Sequence, residues 1–327
     1  MMIILFKSTG SARHAVALLL LSVVLLPGPG ARADTATMRR CAHKPDYRRV
    51  LETDRDIDVT ILNLIDCGLN QTEFESDAFD GSVLPNLKEI LLHFNNLEHL
   101  TPGVFSPVDN ITELTLSHNK LHEVPVCDAH SQLPRLIKLV LNFNCIATIS
   151  ESTFTTCANL EYLHLDQNVI KYVHPTAFLK LTNLRTISLN YNNITSVPDS
   201  MFNIKSLDTV NLQHNLIEYV SPRAFSGTKL THLDLHGNRI SFLPEYFMSE
   251  LNGAGGHLDY HYFTTNPWHC SCLLEHLADV KRAGVVLYST WWYDGKEPMC
   301  VFTGRYACHR HYPSPLLPQI QAALNSH

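Results

Sequence analysis

No apolar run in this 327-residue chain is long enough to cross a bilayer. The longest, Ala15–Leu26, has 12 residues, where a spanning helix needs roughly 20. An excess of positive charge is also missing: 25 lysines and arginines face 31 aspartates and glutamates, a net charge of −6. A partner rich in phosphate, whether nucleic acid or an anionic membrane, needs a basic surface, so neither is expected. Catalytic signatures are lacking as well. There is no G-x-S-x-G elbow, no phosphate-binding glycine loop and no H-E-x-x-H pair. The one glycine cluster, Gly253-Ala254-Gly255-Gly256, has no lysine after it and reads as an insertion loop. The expectation is a protein that is not an enzyme and uses no cofactor or metal.

What is present begins with an address. Lys7, Arg13 and His14 precede the apolar run; Pro27–Gly30 then break any helix, and Ala31-Arg32-Ala33 offers the small residues that a signal peptidase requires. Residues 1–33 therefore read as a secretory signal peptide, and the mature chain as secreted, extracellular and exposed to oxidising conditions. Three glycosylation sequons, at Asn70, Asn110 and Asn193, fit that compartment. The tail after Cys308 carries three prolines and lacks the apolar end of a lipid-anchor signal.

The rest of the chain is organised by a repeat. The template L-x-x-L-x-L-x-x-N-x-L recurs from Val59, Leu87, Ile111, Leu136, Leu160, Leu184, Leu207, Leu230 and, degenerately, Leu258. Interior spacings are 23 to 25 residues, and 28 at both ends. The L-x-L centre alternates with period two, which is a short strand with one buried face. The ninth position is asparagine in eight copies, from Asn95 to Asn266. An amide there can satisfy backbone groups left open where the chain turns inward. Phe79, Phe105, Phe154, Phe178, Phe202 and Phe225 recur once per repeat and fill the space behind the strands. No single copy can bury its own face; stacking makes one continuous core.

This pattern resembles the extracellular leucine-rich-repeat proteins of the roughly 24-residue class. The resemblance implies an α/β-type repeat solenoid, a horseshoe with a parallel concave sheet, an irregular convex side and a disulfide-capped C-terminus. The expected organisation is a signal peptide (1–33), an N-terminal capping segment (34–58), about eight repeats (59–257), a degenerate last repeat with a cysteine-rich cap (258–311) and a tail (312–327). Asn266-Pro267-Trp268-His269-Cys270-Ser271-Cys272, followed by Cys300 and Cys308, resembles the C-terminal cap of this class. That resemblance implies the pairs Cys270–Cys300 and Cys272–Cys308, although only seven residues separate Cys300 from Cys308. A zinc site built from Cys270, Cys272, His269, His309 and His311 is the rival reading, and a secreted context favours disulfides. Cys41 is expected either to pair with Cys67 or to leave it as a buried thiol at the ladder position. Cys157 aligns with core positions and is expected to be a buried thiol. Cys127 and Cys145 are expected either to pair with each other or to supply an interchain disulfide.

The candidate binding surface is the outward side of the strands, over about 40 Å at roughly 4.8 Å per strand. Its candidate residues are Phe94, His118, Phe143, Tyr162, His164, Tyr191, His214 and His236. Exposed aromatics on a sheet concentrate where proteins bind proteins, and a column of imidazoles would gain charge together below about pH 6.5. The chain is similar to secreted insect leucine-rich-repeat proteins, including the mosquito immune group that partners complement-like proteins. With 19 residues after Cys308 and no heptads, it resembles a short, coil-less form. The resemblance implies recognition of a pathogen-surface ligand or a host effector protein; the alternative is a matrix, adhesion or developmental ligand-binding protein.

Overall fold

A computed structural model describes residues 37–40, 59–70, 79, 84–127, 133–253, 257–285 and 308. The chain divides into two units, residues 1–35 and 36–327, and the described residues all belong to the second. The signal segment, most of the expected N-terminal cap, Cys41, Cys300 and the 312–327 tail lie outside them.

Ten strands form one parallel sheet: β1 (Thr37–Arg40), β2 (Val59–Asn63), β3 (Glu89–Leu91), β4 (Glu113–Thr115), β5 (Lys138–Val140), β7 (Tyr162–His164), β9 (Thr186–Ser188), β11 (Thr209–Asn211), β13 (His232–Asp234) and β14 (Tyr260–Tyr262). Each neighbours the next in sequence order, one strand per repeat, as the template requires. The first strand falls in the segment expected only to cap the solenoid, so among the described residues the sheet has ten strands where the template alone shows nine. On the other side of the core, β6 (Thr148–Ile149) pairs with β8 (Tyr172–Val173), and β10 (Ser196–Val197) with β12 (Tyr219–Val220).

The template residues hold the stack in three ways. Leucines and isoleucines at its fourth and sixth positions are buried, Leu139, Leu163, Leu165, Ile187 and Leu189 completely. The asparagines stitch consecutive repeats. Nδ2 of Asn168 donates to the carbonyls of Leu165 (3.1 Å) in its own repeat and Leu141 (3.0 Å) in the one before, while its Oδ1 accepts from the Ile146 N–H at 3.0 Å. The same three bonds recur at Asn119, Asn144, Asn192, Asn215, Asn238 and Asn266. Buried backbone groups that no strand partner reaches are thereby satisfied. Third, the phenylalanines form a spine behind the strands, with ring centroids 5.7 Å apart for Phe154–Phe178, 5.9 Å for Phe178–Phe202 and 5.3 Å for Phe202–Phe225.

Between Phe105 and Phe154 the sequence has no phenylalanine for that spine. There the structure joins Cys127 to Cys157, with Cα atoms 5.0 Å apart. This corrects two expectations. Cys157 is not a thiol, and Cys127 pairs neither with Cys145 nor with another chain. Both sulfurs sit behind the strands on consecutive repeats, a proximity that template position does not reveal. Cys145 keeps an exposed free thiol. Cys67, which is buried, and Cys270, which is half-buried, are both disulfide-bonded; the partners expected for them, Cys41 and Cys300, lie outside the described residues.

The C-terminal end is closed by the helix Cys270–Arg282, and Cys272 is joined to Cys308. Beneath it, Trp268 is buried, its Nε1 donating to the Phe263 carbonyl at 2.8 Å. His276 from the helix stacks on Trp268 and meets His261 of β14 through their Nε2 atoms at 3.1 Å. His261 occupies a fourth template position, elsewhere leucine, isoleucine or valine, and is fully buried. Burial pushes its pKa down to about 4, against smaller upward effects from the Leu233 carbonyl and Asp234. An imidazole whose folded pKa lies below its unfolded value of about 6.5 contributes stability above pH 6.5, and that contribution is lost as pH falls toward 4. The expected loss is about 3 kcal/mol at pH 4. Chemical denaturation of wild type and His261→Leu between pH 7.5 and 4.5 checks it. The variant should keep a flatter profile below pH 6.5, and identical slopes would refute the assignment.

Candidate functional site

Beyond each strand the chain turns at the eighth template position, and that residue adopts a left-handed backbone. Phe94 (φ 59°), His118 (52°), Phe143 (57°), Gln167 (55°), Tyr191 (55°), His214 (53°) and Gly237 (65°) all do so. The repeated turn sets these side chains in one row across the sheet, on the side away from the core. Within the row, rings stack. His118 lies between Phe94 and Phe143, with centroids 4.3 and 4.1 Å away and planes within 20°. Farther on, Tyr191 stacks on His214 at 4.5 Å, and His214 meets His236 edge-on. His214 Nδ1 would lie 2.6 Å from a Cβ at position 237, so the glycine makes room for it.

Phe94 is 52% exposed, Tyr191 45%, Tyr162 38% and Phe143 37%, so these rings stand in solvent and not under neighbouring strands. Their edges make an apolar stripe along the sheet. Alongside runs the seventh-position row, with His93, Asn142, Asp166, Asn190 and His236, and beyond it the fifth and third positions. The eight residues singled out from the sequence fall into two groups. Phe94, His118, Phe143, Tyr191 and His214 belong to the ring row, with His236 beside it. Tyr162 and His164 lie on β7, one at each end of the strand.

The histidines form no continuous column of imidazoles: His118 stands between two phenylalanines, whereas His214 meets both Tyr191 and His236. Burial lowers the pKa of His93, His118, His164 and His214, with His118 adding to the effect at His93 and His236 at His214. At neutral pH the face is therefore uncharged at these positions and carries a carboxylate excess. Across its third, fifth, seventh and eighth positions stand Asp66, Glu89, Glu113, Asp166 and Asp234, against Lys138. Lys138 is engaged by Glu113 at 3.3 Å, and Asp234 by the His236 Nδ1 at 2.6 Å. Burial pushes the Asp166 carboxyl up, opposed by its own backbone N–H, His164 and the Asn142 side chain. Among the described residues no group of three or more histidines, cysteines or acids could hold a metal ion. None of their helices is long and apolar enough to cross a membrane.

Of the sequons, Asn70 is exposed at the edge of its repeat, whereas Asn110 and Asn193 are half-buried.

The Leucine rich repeat family pattern matches residues 59–121, 134–194 and 182–240, more than half of the chain. The chain belongs to the leucine-rich-repeat family. Among the relatives of this leucine-rich-repeat chain, mimecan from Bos taurus is 35% identical over 128 residues, which are 38% of this chain and 40% of mimecan. Podocan from Mus musculus is 33% identical over 36% of this chain and 23% of podocan. The chain thus spans less than half the length of these relatives. A crystal structure of a TLR13–ssRNA13 complex matches 64% of the chain and 29% of that protein, with a TM-score of 0.58 and 26% identity. The Drosophila Toll–Spatzle complex matches 67% of the chain and 30% of that protein, with a TM-score of 0.54; at 24% identity it bears on the fold alone.

Proposed function

We propose that this leucine-rich-repeat chain is a secreted, non-enzymatic binding protein that holds a protein partner on the outward face of its sheet. The carrying observation is the exposed, stacked ring row on a rigid parallel sheet. Rings already held by their neighbours lose little conformational freedom on binding, so the apolar area they bury counts nearly in full toward affinity. Protein suits the face better than nucleic acid does, because its carboxylates outnumber its lysine. Recognition in innate defence, of a pathogen surface or a host effector, is the role we infer; a matrix or developmental ligand is the other role open to the same face. Among the described cysteines, a covalent pairing of two chains would fall to Cys145, since Cys127 is already bonded.

The test is recovery of the partner from body fluid with the mature protein, followed by affinity measurement on alanine variants. Replacing Phe94, Phe143, Tyr162 and Tyr191 singly is expected to weaken binding roughly thirtyfold at the strongest anchor, about 2 kcal/mol. Leu179→Ala, exposed behind the sheet, should leave it unchanged. Unaltered affinity in all four face variants would move the site elsewhere.

A further inference from the structure

The ring row is interrupted at one position. Phe143, Gln167 and Tyr191 occupy equivalent places on three consecutive repeats. Their registration is fixed by backbone bonds from Phe143 N–H to the Asp166 carbonyl (3.1 Å), from Gln167 N–H to that of Asn190 (2.9 Å) and from Tyr191 N–H to that of Gln213 (3.0 Å). At about 4.8 Å per repeat, Phe143 and Tyr191 are roughly 10 Å apart, two stacking intervals. Each ring is held from its far side, Phe143 by His118 and Tyr191 by His214. Gln167 between them is exposed and carries no ring. The gap therefore has the width of one planar group stacked on both faces.

Charge narrows the choice of group. Asp166, half-buried, precedes Gln167 in the neighbouring row. Its carboxylate is approached by the Asn142 side chain and its own backbone N–H and, being only half-buried, stays partly open to a further donor from the face. The surrounding face is rich in carboxylates, with its lysine already engaged. A flat cation with several N–H donors meets all of these conditions. A guanidinium is flat, stacks on aromatic faces and donates in a fork to a carboxylate, whereas an ammonium is a compact, strongly hydrated point charge.

We infer that the gap between Phe143 and Tyr191 is a slot for an arginine side chain of a basic segment in the protein partner, stacked between the two rings and paired with Asp166. This rests on the outward face being the binding surface, and it names the chemistry of what binds there.

The test uses defined peptides in place of the natural partner. A fluorescein-labelled glycine–serine peptide carrying three arginines is titrated against the full chain by anisotropy at low salt, beside matched peptides with three lysines, citrullines or phenylalanines. The arginine peptide is expected to bind at least about tenfold more tightly than any of the others. Asp166→Asn and Phe143→Ala should each bring it down to the lysine level. Gln167→Phe should do the same by filling the gap, and it keeps the fold, because phenylalanine already occupies the same left-handed position at Phe94 and Phe143. Equal affinity for arginine and lysine peptides, equal or stronger binding of the citrulline or phenylalanine peptide, or an arginine preference that survives Gln167→Phe would each overturn the slot. None of these results touches the broader reading, which the ring variants test on the natural partner.

Discussion

Leu163→Asp is expected to yield no folded, secreted protein, whereas Tyr162→Asp, one residue away on the same strand, should be secreted near the wild-type level. Leu163 is fully buried at the centre of the sheet, between Leu139 of β5 and Ile187 of β9. An aspartate there loses the leucine's burial, about 2–5 kcal/mol for a large-to-small core change. It must also either bury an unpaired carboxylate or take up a proton, at a further cost of several kcal/mol. Against a total stability of roughly 5–15 kcal/mol, that is sufficient to unfold the chain. Tyr162 faces outward and is 38% exposed, so its replacement costs within about 1 kcal/mol. Secretion yield and circular dichroism of the two variants decide the matter. Equal yields would mean that the two faces of β7 are wrongly assigned.

Removing the Cys127–Cys157 bond is expected to cost about 3.5 kcal/mol, the chain-entropy value for a loop of this length, here a separation of 30 residues. The bond staples two consecutive repeats behind the sheet at the point where the phenylalanine spine has a missing ring, so neighbouring packing cannot take over its role. In the double variant Cys127→Ala/Cys157→Ala the melting temperature should drop by roughly 10 °C. Cys145→Ser, at an exposed free thiol, should leave it within a degree or two. A double variant that melts with the wild type would show that the bond does not form in the folded protein.

The repeat was legible in the sequence because every copy meets the same constraint. A leucine pair separated by one residue turns both side chains to one face, and an asparagine three residues after the second of them meets an open carbonyl in its own and the preceding repeat. Strand positions, inward leucines, the asparagine ladder and the phenylalanine spine all follow from local pattern plus stacking. So does the exposure of Tyr162, which the strand period assigns to the outward side; Phe94, Phe143 and Tyr191, at the even eighth position, are turned outward only by the left-handed backbone there. His261 was legible as an anomaly, a histidine where other copies carry an aliphatic residue. Its partner was not: His276 is 15 residues further on, on a helix that the template does not describe.

Proximity across repeats was decided only by tertiary structure. The template aligns Cys157 with core positions and leaves Cys127 in an irregular segment; only the path of the chain behind the sheet brings their Cα atoms to 5.0 Å. Likewise, the sequence lists phenylalanine, histidine, phenylalanine, glutamine and tyrosine at successive eighth positions without showing that their rings stack. That depends on a left-handed backbone at each turn, which aims consecutive side chains along the same line, and on a repeat spacing close to the thickness of stacked rings. Local pattern sets which face a residue belongs to; only the assembled sheet sets which residues meet across it, because those meetings are made between segments some 24 residues apart and governed by backbone geometry that no single repeat contains.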